Sequence, residues 1–227
     1  TTEKTREKEV VKVTLVGSVV NFALMALKFT AGILGRSGAM IADAVHSLSD
    51  FLTDIVVVVF VKISSKPRDH DHKYGHGKFE TLATAIIGIV LMFVGLKLMW
   101  DGGTKIYGVL FKGLVIESPG IIALIAALVS IVAKEILYRY TVIVGKKQNS
   151  QSVIANAWHH RSDAFSSIGT ALGIGGAILL GDKWTILDPI AAVVVGVLII
   201  RVAIQLVKPA MNDLLEKSSH RKWKMRL

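Results

Sequence analysis

The 227-residue chain contains no cysteine. Disulfides and thiolate ligands are excluded, so any metal must be held by imidazole nitrogen and carboxylate oxygen. Acid is also scarce, with 17 Asp and Glu against 27 Lys and Arg and a formal net charge of +10. A basic balance can signal nucleic acid, but loops retained on the cytoplasmic face of a membrane explain it more simply, and no nucleic-acid partner is expected. No His-Glu-x-x-His occurs, which removes the zincin type of metalloprotease. Of the histidine boxes used by membrane oxygenases only the spacing of His72 and His76 is present, on a polar loop. An enzyme is therefore not expected. The segment Thr1 to Lys12 is polar, so no cleavable signal peptide is expected either.

What the chain has instead is length in its apolar runs. It is 52% hydrophobic with mean hydropathy +0.55, and runs this long separated by short polar links predict an all-α, polytopic membrane protein. Six spanning helices are predicted: 13–34, 39–63, 79–99, 120–144, 153–180 and 189–211. The stretches Asp101-Gly102-Gly103 and Gly145-Lys146-Lys147 fall between helices in this reading. Residues 1–217 form the transport domain and 218–227 a basic tail. Lys and Arg concentrate in the N-terminal segment, the 2–3 loop, the 4–5 link and the tail, which predicts that both termini are cytoplasmic.

The second predicted helix carries Ala42-Asp43-Ala44-Val45-His46-Ser47-Leu48-Ser49-Asp50. The fifth carries Ala155-Asn156-Ala157-Trp158-His159-His160-Arg161-Ser162-Asp163. Both read Ala-(Asp/Asn)-Ala-x-His-x-x-Ser-Asp. Residues i and i+4 share a helix face, so each copy aims one imidazole and one carboxylate the same way. If the two helices face each other, His46, Asp50, His159 and Asp163 surround one point, a set suited to a tetrahedral divalent metal and above all zinc. The pair of motifs is compatible with two three-helix halves in inverted topology, and equally with convergence on the same ligands. Charges in the hydrocarbon are costly, so these four residues either bind an ion or pair among themselves or with Arg161.

Around them, Asp43 and Asp54 extend an acidic stripe that either draws the cation in or pairs with Lys28 or Lys134. His160 points about 100° from His159 and is read as a neighbour, not a ligand. Asn21 and Asn156 are read as helix-to-helix hydrogen bonders. Gly88, Gly95, Gly169, Gly173 and Gly176 permit close helix approach. Asp69, His70, Asp71, His72 and His76 crowd one loop, which reads either as a solvated polar segment or as a second, exposed metal site.

On these motifs, together with Tyr74-Gly75-His76-Gly77-Lys78-Phe79-Glu80, the chain resembles the cation diffusion facilitators over its whole membrane region. The resemblance implies a homodimeric, six-helix metal/proton antiporter working by alternating access, placed as a multi-pass protein in the bacterial inner membrane. It implies His46, Asp50, His159 and Asp163 as the transport site, Asp69, His72 and His76 as a loop site, and a charged pair between Lys78 and Glu216. No prosthetic group is implied. Zinc is the expected substrate, ahead of cadmium, ferrous iron, cobalt, nickel and manganese, with protons as counter-ion. Most members continue into a cytoplasmic ferredoxin-like domain, and this chain stops soon after the sixth helix. A passive divalent-metal channel or an intramembrane metal enzyme is the alternative.

Overall fold

The computed structural model describes residues 3–64 and 77–215. Among these residues six long helices follow one another: α1 (Glu3–Leu34), α2 (Gly38–Ser64), α3 (Gly77–Lys112), α4 (Ile121–Lys147), α5 (Gln151–Leu179) and α6 (Leu187–Leu214), with a 3-10 turn, Asp182–Trp184, before α6. No strand occurs among the described residues. Four of the six (α1, α3, α4 and α6) have stretches long and apolar enough to cross a membrane. The other two, α2 and α5, carry the polar motifs.

Several boundaries differ from the sequence reading. Helix α1 starts at Glu3, because the Glu, Lys and Arg of the polar opening segment are themselves good helix formers. Helix α4 runs on through Gly145-Lys146-Lys147, and Asn149 at φ 49° turns the chain into α5. The largest difference is α3, whose 36 residues extend about 54 Å and include Asp101-Gly102-Gly103. These glycines are not a turn. Gly102 forms a packing seam with α6.

That seam explains how the helices associate. In lipid no hydrophobic force drives helices together, so small side chains and close backbone contact must do it. The interior is accordingly made of Ala39, Ala42, Ala44, Ala123, Ala126, Ala127, Ala191 and Ala203, while Val19, Phe93, Leu172 and Leu179 face outward. Gly88, Gly95 and Gly102 recur every seventh residue on α3. Each meets a successively earlier part of α6: Ala203–Val207, then Gly196–Ile200, then Pro189–Val193. The two helices are therefore antiparallel and in near-backbone contact along most of their length. A Cβ on Gly95 would stand 2.8 Å from Ile200 Cγ1 and 3.3 Å from the Gly196 carbonyl. Gly95→Leu should destabilise the fold by about 1–3 kcal/mol through overpacking. Thermal unfolding in detergent would register this as a lowered midpoint, and an unchanged midpoint would show that the seam is loose.

One end of the bundle is pinned by polar contacts. The α1–α2 turn passes through Arg36 at φ 49°, and Gly120 N–H donates to the Gly35 carbonyl at 2.8 Å. Arg36 pairs with Glu117. Asp188, in the first turn of α6, accepts from Ser37 Oγ (2.5 Å) and from the Gly38 N–H (2.8 Å). A carboxylate from α6 thus shares the free N–H groups at the N-terminus of α2 with Ser37 Oγ, which accepts from Met40 N–H at 3.0 Å. At the opposite end Thr81 Oγ1 donates to Asp213 Oδ2, joining the start of α3 to the end of α6.

Candidate metal centre

Asp50 lies twelve residues beyond the start of α2, and Asp163 twelve beyond the start of α5. Both are near half-depth in antiparallel helices, so the two motifs meet at mid-bundle. There His46, Asp50 and Asp163 each bring a ligand atom within 4.8 Å of the other two. Asp163 is buried, and His46 and Asp50 are partly so. His46 Nδ1 is buried and has no hydrogen-bond partner. A buried polar atom left unpaired is costly, and an imidazole beside two carboxylates is a donor set that fits a cation between them.

His159 stands apart from this trio. Its Nδ1 is 3.9 Å from Asp163 Oδ1, and its side chain is 49% exposed. The motif's next residue, His160, turns the other way: it is 2% exposed and packs against Gly17 of α1. Arg161 does not pair with the site acids. Its guanidinium lies over the Tyr138 ring (4.6 Å) and near that of Trp158 (5.6 Å), with Glu135 Oε2 at 3.7 Å from Nε.

Two buried lysines flank the trio. Lys134 of α4 bonds Asp163 Oδ2 and Asn21 Oδ1, both at 2.8 Å. Lys28 of α1 is 2.9 Å from Asp43 Oδ2 and donates to Ser47 and Ser167 at 3.0 Å each. Ser167 in turn donates to Asp43 Oδ2. Asp43 precedes His46 on α2 and Ser167 follows Asp163 on α5, so this layer covers the trio on the side of the α1–α2 turn. Lys28, Asp43 and Ser167 are all at most 1% exposed.

These contacts sort the sequence expectations. Asp43 pairs with Lys28, one of the two partners proposed for it. Lys134 goes to Asp163 rather than to the acidic stripe. Asn21 does link helices, α1 to α4, whereas Asn156 contacts His160 of its own helix at 3.4 Å. Gly173 meets Ala191 and the Leu187 carbonyl and Gly176 meets Leu187, but Gly169 faces open space. The side chains of Asp54 and Lys78, the loop residues Asp69, His70, Asp71, His72 and His76, and Glu216 lie outside the described residues. Lys134 is expected from the sequence to pair with Asp43 or Asp54, and its place against Asp163 was missed. Its signal was a lone cation in the stripe Ala123, Ala126, Ala127, Ser130, Leu137 and Thr141, all buried. In a spanning helix such a cation has to face the interior and find an anion.

Comparison with known proteins fits this arrangement. Residues 14–215 match the family model described as the cation efflux transmembrane domain. The chain is 39% identical over 217 residues to the manganese efflux system protein MneP of Bacillus subtilis, covering 94% of this chain and 71% of that protein. It is 36% identical over 199 residues to the magnetosome protein MamB of Magnetospira, covering 88% and 65%. It is 37% identical over 205 residues to metal tolerance protein C1 of Arabidopsis thaliana, covering 86% and 43%. The chain thus spans about two thirds of the length of the bacterial relatives.

Proposed function

Because this chain belongs to the cation efflux family, whose members carry metal ions across membranes and are not enzymes, we propose that it is a divalent-metal/proton antiporter working by alternating access. The observation that carries this reading is the convergence of His46, Asp50 and Asp163 from two antiparallel helices at mid-bundle. An ion cannot cross hydrocarbon unaided, so such a site must open to one side at a time. Metal binds only the deprotonated forms of these groups, so metal entry expels protons and protons expel metal. With the termini cytoplasmic, His159 lies on the cytoplasmic side of Asp163 and the Lys28–Asp43 layer closes the opposite side, which supports loading from the cytoplasm. Export is then driven by inward proton flow, and the chain works as a homodimer.

For the cargo, zinc is the reading if His159 moves in to complete two imidazoles and two carboxylates. Manganese is favoured by a specific observation: the close trio is one nitrogen and two oxygens, and carboxylate-rich sets suit manganese better than zinc. His159→Ala separates the two. A four-ligand zinc site should lose at least about tenfold in zinc transport, with manganese transport much less affected.

Proteoliposomes loaded with a metal dye and a pH dye test the whole reading. Metal influx accompanied by proportionate proton efflux is the expected result. Metal flux without proton movement would make the protein a channel, and no flux of zinc or manganese would overturn the proposal.

A further inference from the structure

Lys134 is a buried cation, of the same sign as the cargo, held in direct contact with a carboxylate of the site. Its ammonium is 2.8 Å from Asp163 Oδ2, and the residue is 3% exposed. A cation held this close to a metal-facing carboxylate in a low-dielectric interior competes directly with an incoming ion. It also has a second anchor. Asn21 Oδ1, on α1, accepts a hydrogen bond from the same Nζ at 2.8 Å. The ammonium can therefore lean away from Asp163 without leaving the hydrogen-bonded interior, as burial requires.

We propose that Lys134 is a tethered counter-cation of the transport site. It neutralises Asp163 while the site is empty and yields to the metal by shifting its hold to Asn21. It thereby lowers metal affinity enough for release. The inference rests on the proposed site being the transport site, and it adds a regulator of affinity that is not itself a ligand. Without Lys134 the empty site would hold two carboxylates and no compensating charge, and would bind cargo too tightly to discharge it. With it, the empty carrier stays partly balanced while it reorients.

The two anchors give predictions of opposite sign. Lys134→Gln keeps hydrogen-bonding capacity toward Asp163 and Asn21 but removes the charge. Purified protein titrated with manganese or zinc should bind at least tenfold more tightly, and its maximal transport rate should fall because release slows. Lys134→Arg, which keeps the charge, should return affinity toward the wild-type value. Asn21→Leu leaves the ion pair but removes the alternative acceptor, so it should weaken metal binding several-fold. A purely structural lysine would give unchanged or weaker binding in Lys134→Gln and no effect in Asn21→Leu. Either result, in protein that elutes as a folded species, overturns the proposal. If Lys134→Gln does not fold, Asn21→Leu alone decides. Asp163→Asn titrated alongside keeps the two layers separate: if it binds metal like the wild type, the site assignment fails, whatever Lys134 does.

Discussion

Asp50→Asn is expected to lower metal transport by at least about 100-fold while leaving the helical content and elution profile unchanged. Asparagine fills the same volume, so packing between α2 and α5 survives. What is lost is charge. The trio offers a dipositive ion two carboxylates and one imidazole, and Lys134 already compensates one of those carboxylates. Asp50 is therefore the main uncompensated negative charge at the site, and an amide oxygen is a far poorer partner for a divalent ion than a carboxylate oxygen. Loss of an outer partner of a metal ligand alone costs about 10–100-fold, so loss of a ligand should exceed that. Initial rates of dye-detected metal uptake into proteoliposomes measure the effect. Transport within a few-fold of wild type would remove Asp50 from the site.

Lys28→Met should have the largest effect on stability of any substitution away from the metal centre. It breaks a fully buried ion pair from one side and leaves Asp43 with Ser167 but no cation, one of its oxygens (Oδ1) already having no partner. Removing a single member of such a pair costs about 3–5 kcal/mol, whereas replacing both by apolar residues is often neutral. Lys28→Met should therefore lower the unfolding midpoint in detergent sharply, and the double variant Lys28→Met/Asp43→Leu should recover most of the loss. Additive losses in the double variant would show that the two residues are not coupled. The same comparison bears on transport. This layer lies between the metal centre and the α1–α2 turn, so a double variant that folds but no longer couples metal to protons would identify the layer as a seal.

Much of this architecture was legible in the residues. Helix number and order followed from apolar runs, and the mid-bundle meeting of His46, Asp50 and Asp163 agrees with the repeated i, i+4 motif on helices of opposite direction. Boundaries were harder to read. Gly102 and Gly103 look like a turn in one dimension, and only contact with Pro189 and Val193 shows that Gly102 is a packing surface. The individual roles of neighbouring polar residues were also hidden. Periodicity separates His159 from His160 by an angle but does not say which one faces the bundle, because that depends on where α1 places Gly17. Likewise both lysines had to find acids, but the choice of Asp43 for Lys28 and Asp163 for Lys134 is set by the depth at which α1 and α4 cross the motif helices.

Asp188 gives the bundle a mechanical asymmetry. Its carboxylate is clasped to the first turn of α2, so that helix hangs from α6, which supplies none of the trio. His46 and Asp50 sit eight and twelve residues down the suspended rod. Their height along the membrane normal is thus set in part from a remote anchorage. The same rod is lashed sideways to α5 where Ser167 reaches Asp43, so its level is fixed at two heights, one at the rim and one just above the trio.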